Sequence, residues 1–126
     1  MKRRDQRIKI MTCIYQYLLT DKSIDDIFDD NLDIDDKKSI SFIVESTVNT
    51  LENQAELEEV IKAHLTPTWD YDRLGFIEQA LLLMSAQELL HSDTDRAVVI
   101  NEAVEIAKKY CDDDAPKLIN GVLDQI

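Results

Sequence analysis

WDYDRLGFIEQALLLMSAQEL, residues 69–89, is the stretch whose reading decides the fold. Leu74, Ile77, Leu81, Leu82, Met84, Ser85 and Leu89 recur at spacings of three and four, which predicts about five turns of helix from Trp69, with Gly75 tolerated near the start. Apolar residues cover most of the circumference. A helix apolar on so many sides is normally the central element of a bundle, packed by neighbours all round.

Helical patterns extend from this segment in both directions. Upstream, Ile8, Met11, Thr12, Tyr15, Leu18 and Leu19 mark an amphipathic helix ending near Thr20, and Ser23 with Asp26 resembles a capping box for a short second helix carrying Ile24, Ile27 and Phe28. The acid-rich residues 29–36 read as its exit loop. A third helix begins at Asp35 or Asp36 and carries Ile40, Ile43, Val44, Thr47, Val48 and Leu51; a break near Asn53 separates it from the spacing of Leu57, Val60, Ile61, His64 and Leu65. Thr66-Pro67 ends that run, because proline biases the preceding residue away from the helical region. Two helical halves are therefore expected, residues 1–66 and 67–126.

Downstream, a polar turn at residues 91–95 leads to a helix with Val99, Ile100, Ala103, Val104, Ile106, Ala107 and Tyr110. An Asp N-cap followed by Pro116 then starts a last helix with Leu118, Ile119, Val122 and Leu123. Only two Gly and two Pro occur in 126 residues, too few turn residues for a many-stranded sheet. The expected fold is all-α, in one domain whose 44% apolar content is enough for a core without disulfide or metal support.

The net charge is −12, which at first sight argues against nucleic acid. The distribution weakens that objection. Residues 1–10 hold five cations (Lys2, Arg3, Arg4, Arg7, Lys9) and one anion (Asp5), a local +4 that leaves −16 on the other 116 residues. On a helix Arg3, Arg4 and Arg7 project from neighbouring positions, where they would grip successive phosphates or stack on unpaired bases.

Other chemistry is excluded by spacing. Asp29, Asn31 and Asp33 imitate the opening of a calcium loop, but Ile34 stands where its glycine is needed and Ile40 where its bidentate Glu belongs. Cys13 and Cys111 form no metal or redox motif and are expected reduced and buried. His64 and His91 have no triad or zinc partners, and His91 is expected to meet helix-end carbonyls. No catalytic residue, metal or cofactor is expected. No apolar run approaches a membrane span and the N-terminus lacks a signal-peptide apolar region, so the expected location is cytoplasmic, with no membrane partner.

On the polar face of the penultimate helix, Glu105 and Lys109 are spaced as an (i, i+4) pair, and Asn101 is expected to bond a neighbouring helix, as is Asn120 beside Gly121, a residue that would permit close helix approach.

Several strings in the second half carry a family likeness: W-x-x-x-R-L at residues 69–74, E-Q-A-L-L at 78–82, E-L-L-H-S-D-T at 88–94, V-I-N-E-A-V-E-I-A-K-K-Y at 99–110 and D-D-D-A-P-K-L-I-N-G-V-L-D at 112–124. Together they resemble the NusB family. The first half matches more loosely, through its Arg-rich start and Tyr15 before Gln16. The resemblance implies about seven helices in two small packed bundles and a non-enzymatic transcription antitermination factor. Its implied partners are the single-stranded boxA-type RNA of nascent ribosomal RNA transcripts, the small-subunit ribosomal protein that acts as NusE, and the antitermination complex on RNA polymerase.

Carried over position by position, the resemblance implies RNA binding by Arg3, Arg4, Arg7, Asp114 and Lys117, and partner binding by Tyr15, Glu78 and Asp72. Four positions depart from the family pattern: Leu83 where many relatives have Arg, Gln87 where Tyr is frequent, Leu118 where an aromatic is usual, and Gln125 where a basic residue is usual. Two cations and two aromatics are thereby lost, so weak RNA binding by the chain alone is expected. An acidic body complements a basic ribosomal protein. The alternative is a helical protein-interaction module that binds the ribosomal protein but has lost useful RNA binding.

Overall fold

The computed structural model describes residues 1–33 and 37–126, with the backbone alone at Lys37. The described residues form seven α-helices and no strand: α1 (Arg3–Leu19), α2 (Ile24–Asn31), α3 (Lys37–Glu52), α4 (Gln54–His64), α5 (Phe76–His91), α6 (Arg96–Tyr110) and α7 (Ala115–Gln125). The expected starts of α3 at Asp35 or Asp36, and the calcium-loop position Ile34, lie outside the described residues.

Local signals set most helix ends. The Ser23 hydroxyl accepts the Asp26 N–H at 3.2 Å and starts α2. Asn53 interrupts the helical run between α3 and α4, and its side chain donates to Gln87 Oε1 of α5 at 3.0 Å. Asp95 caps α6 by accepting the Ala97 N–H at 3.0 Å.

The segment before α5 differs from the expected continuous helix. Residues 71–73 form a single 3₁₀ turn, capped by the Asp70 carboxylate on the Asp72 N–H, and Gly75 is the N-cap of α5 rather than an interior residue. Gln79 explains how the turn is held: its amide donates to the carbonyls of Tyr71 and Leu74 at 3.0 and 3.1 Å. A side chain from the first turn of α5 thus satisfies backbone acceptors that a continuous helix would have used internally.

From Glu78 to Gln87 every residue of α5 is buried, and α1, α3, α4, α6 and α7 all pack against it. The central helix expected from composition is therefore α5. Leu81, Leu82 and Leu83 are fully buried around its circumference, among Ile10, Ile14, Ile43, Leu57, Ile61, Ile106 and Ile119 from the surrounding helices. Removing one such leucine side chain costs about 2–5 kcal/mol.

At the C-terminus, Asp114 occupies the N-cap position of α7 with Pro116 in the first turn, but its side chain makes no capping hydrogen bond. The other end of α7 is closed by Arg96, whose Nη2 donates to the carbonyls of Leu123 and Asp124 at 2.9 and 2.7 Å. Gly121 has no neighbour that a Cβ would meet, so it does not serve close helix approach as expected. Asn101 and Asn120 are exposed and make no hydrogen bond to a neighbouring helix, and Glu105 pairs with Lys108 at 3.1 Å rather than with Lys109. His91 meets Glu56 at 3.2 Å instead of helix-end carbonyls, a task Ser92 performs on Glu88 O.

Candidate functional site

The three N-terminal arginines lie on the first two turns of α1, yet the structure directs them to three different partners. Arg3 stacks its guanidinium 3.8 Å from the centroid of the Phe42 ring and donates to Gln6 Oε1 at 3.0 Å. Arg4 donates through Nε to Glu102 Oε2 of α6 at 2.7 Å, and its Nη2 lies 2.6 Å from the same oxygen. Arg7 turns inward and is 5% exposed, with Nε and Nη2 on the two carboxylate oxygens of Glu88 at 3.0 and 2.7 Å and Nη1 3.9 Å from Glu102. The expected array of three guanidinium groups on successive phosphates is not what the fold presents: Arg3 and Arg4 remain exposed, and Arg7 belongs to a part-buried ion pair.

Tyr15 is half-buried against the core near the end of α1. Arg7 meets Glu88 while Ile10 and Met84 line a common cavity, so α1 and α5 run antiparallel and Tyr15 lies toward the start of α5, the end that holds Glu78. Glu78 is 8% exposed and makes no hydrogen bond or ion pair among the described residues. It lines a concavity of about 620 Å³ between the start of α5 and the α6–α7 connection, walled by Trp69, Leu74 and Leu118. Asp70, Asp112 and Asp114 add three more carboxylates, and Arg73 is the single cation among the described lining residues. Burial, with Glu78 and Asp112 adding to it, pushes the neighbouring Cys111 thiol up to about 12. Asp72 is exposed beside this concavity, and its backbone N–H is taken by Asp70.

Asp114 and Lys117 stand one turn apart at the start of α7, both exposed, and both line a second groove of about 340 Å³. Lys117 has no ion pair or hydrogen bond among the described residues. The structure does not bring this pair to the arginines. Arg7 meets α5 at Glu88, whereas Asp114 shares a concavity with Glu78, and ten residues of helix separate these levels by about 15 Å.

Of the four departures, Leu83 is fully buried and Gln87 is 9% exposed, accepting from Asn53; neither faces solvent. Leu118 and Gln125 line the α7 groove. Trp69, which the sequence pattern marks only as the start of a helical run, is half-buried and lines both concavities. The signal that finds it is its position two residues after the Thr66-Pro67 break, outside any helix. Cys13 is buried and Cys111 half-buried, both free thiols. Among the described residues no group of His, Cys, Asp and Glu side chains could hold a metal ion, and no helix is long and apolar enough to cross a membrane.

Comparison with known proteins agrees with this architecture. A transcription antitermination protein NusB from Sulfurovum sp. (strain NBC37-1) is 40% identical over 126 residues, covering 98% of this chain and 96% of the relative. The solved structure of T. maritima NusB superposes with a TM-score of 0.88 at 26% identity, covering 99% of this chain and 89% of that one. A structure described as antitermination factors NusB and NusE in complex with dsRNA has the same fold, with a TM-score of 0.82 at 23% identity over 98% of this chain and 93% of that one. Residues 4–126 match the sequence model of the NusB family, so the likeness seen in the second half extends through the arginine-rich first helix, and the chain belongs to the NusB family.

Proposed function

We propose that this chain is a cytoplasmic, non-enzymatic transcription antitermination factor. It binds boxA-type single-stranded RNA of nascent ribosomal RNA transcripts together with the small-subunit ribosomal protein that acts as NusE, and the pair joins the antitermination complex on RNA polymerase. The two helical halves, residues 1–66 and 67–126, work as one domain. Exposed Arg3 and Arg4 take phosphates at one end of α5 and Lys117, beside Asp114, takes them at the other. Tyr15, Glu78 and Asp72 meet the ribosomal protein.

The single observation that carries this reading is the Glu78 carboxylate. It makes no ion pair among the described residues and lines a concavity that three further carboxylates border. Such a carboxylate-lined hollow complements a basic protein, whose cations would pair with it. One observation favours the second reading, a module that binds the ribosomal protein without useful RNA binding: Arg4 and Arg7 are already neutralised by Glu102 and Glu88.

Fluorescence anisotropy of a labelled boxA RNA, with and without the ribosomal protein, tests the proposal. Under the first reading affinity falls steeply with salt and improves when the protein is added. Protein binding with no RNA affinity at any salt concentration establishes the second reading instead.

A further inference from the structure

The α7 groove holds several side-chain groups that have no protein partner among the described residues. The indole of Trp69 forms one wall, and its Nε1–H makes no hydrogen bond to another described residue. Leu118 and Val122 supply an apolar floor. At the rim Lys117 makes no ion pair among the described residues, and Asp114, one turn back on α7, is the one carboxylate among the described residues of this lining. His64 lines the groove, with its Nδ1 held 2.8 Å from the Val60 carbonyl and its Nε2 without a described partner. Beside Gly121 there is open space, since a Cβ there would touch nothing within 4 Å.

We propose that this groove receives one unpaired nucleobase of single-stranded RNA, stacked on the Trp69 indole, with an adjoining phosphate on Lys117. The inference rests on the RNA-binding reading above and adds to it a stacking site outside the arginine-rich helix. Three features favour a base over other occupants. An aromatic face with an apolar floor binds any base through its π-surface, and such stacking is a main source of affinity for single strands. Polar groups without a described partner at the rim suit a base edge or a ribose hydroxyl. On the far side of the indole, Asp70, Glu78 and Asp112 repel phosphate, which keeps the RNA backbone on the Lys117 side.

Trp69 is the only tryptophan of the chain, so its emission reports the site directly. The full-length protein is titrated with an unlabelled boxA-type RNA and with the same RNA made abasic, while anisotropy of a labelled copy tracks binding independently. The expected result is quenching of Trp69 emission by the RNA and none by the abasic strand. Trp69→Ala lowers affinity about five-fold or more with little change in salt dependence, whereas Lys117→Ala flattens the salt dependence and keeps the quenching at saturation. Gly121→Leu, which removes a helix-weakening glycine and fills the open space, leaves the fold intact and abolishes the quenching.

Binding by anisotropy with unchanged Trp69 emission overturns the stacking site and leaves the RNA reading standing. Absence of binding by any RNA overturns the RNA reading and this inference with it. Emission that responds to a lysine- and arginine-rich peptide but not to RNA overturns it in favour of a protein ligand.

Discussion

Arg7 and Glu88 form a bidentate ion pair between α1 and α5, with side chains only 6% and 12% exposed. Replacing Arg7 by Ala strands a part-buried carboxylate and is expected to destabilise the protein by about 3 kcal/mol. The double variant Arg7→Met with Glu88→Leu recovers most of the loss, because neither charge then lacks a partner. Urea unfolding of the three proteins measures both effects. A loss of RNA binding in the single variant would accordingly report a damaged fold before it reported a lost phosphate contact.

Glu102 holds Arg4, the arginine proposed above to take a phosphate. Glu102→Gln keeps the shape of the side chain while removing its charge, so RNA affinity rises a few-fold and the salt slope steepens by about one unit. Anisotropy titrations across a salt series decide it; an unchanged slope would mean that Arg4 never reaches a phosphate.

Gly75 controls the position of Glu78. A Cβ at Gly75 would collide with Glu78 Oε2, so Gly75→Ala forces the carboxylate to move. The expected outcome is weakened binding of the basic ribosomal protein, in the same direction as Glu78→Gln, with little change in melting temperature. Calorimetric titration alongside thermal melts separates the two quantities.

Alkaline pH should unfold the chain earlier than its surface charge alone predicts. Burial holds the Cys13 thiol up at about 11 against 9.0 for an ordinary thiol, and Cys111 and Tyr71 are shifted upward in the same sense. These acids bind protons more tightly when folded, so their contribution is complete below pH 9 and is lost as pH rises through the folded values. For Cys13 the loss amounts to about 2 to 3 kcal/mol. Urea titrations between about pH 8 and about pH 11 will show a fall in stability that is shallower in Cys13→Ala.

Short-range physics made much of the fold legible. Ser23 capping α2, the break at Asn53, the Thr66-Pro67 stop and the all-round burial of α5 each depend on neighbours within a few residues or on the periodicity of one helix. What escaped the sequence involves distant partners. Arg7 and Glu88 are 81 residues apart, and Arg96 closes α7 across 27 and 28 residues. Nothing in the local pattern of α1 says which of its arginines will face inward. Gly75 belongs with these: a glycine within a helical spacing looks interior, and only the long reach of Gln79 to the preceding turn makes it the N-cap. The candidate site was legible in its charges and its family strings, but the concavity beside Glu78 and the role of Trp69 as a wall exist only once α5, α6 and α7 are assembled.

Trp69, Asp114 and Leu118 each line both concavities, forming a thin partition between them. With a basic protein on the acidic side and RNA on the other, a cation near Asp114 lowers the negative potential that opposes a phosphate at Lys117. Thermodynamic linkage makes the benefit mutual: the factor by which the protein tightens RNA is the factor by which RNA tightens the protein. Under the proposed function, a chain built this way would respond to coincidence, holding firmly when transcript and ribosomal protein arrive together and loosely to either alone.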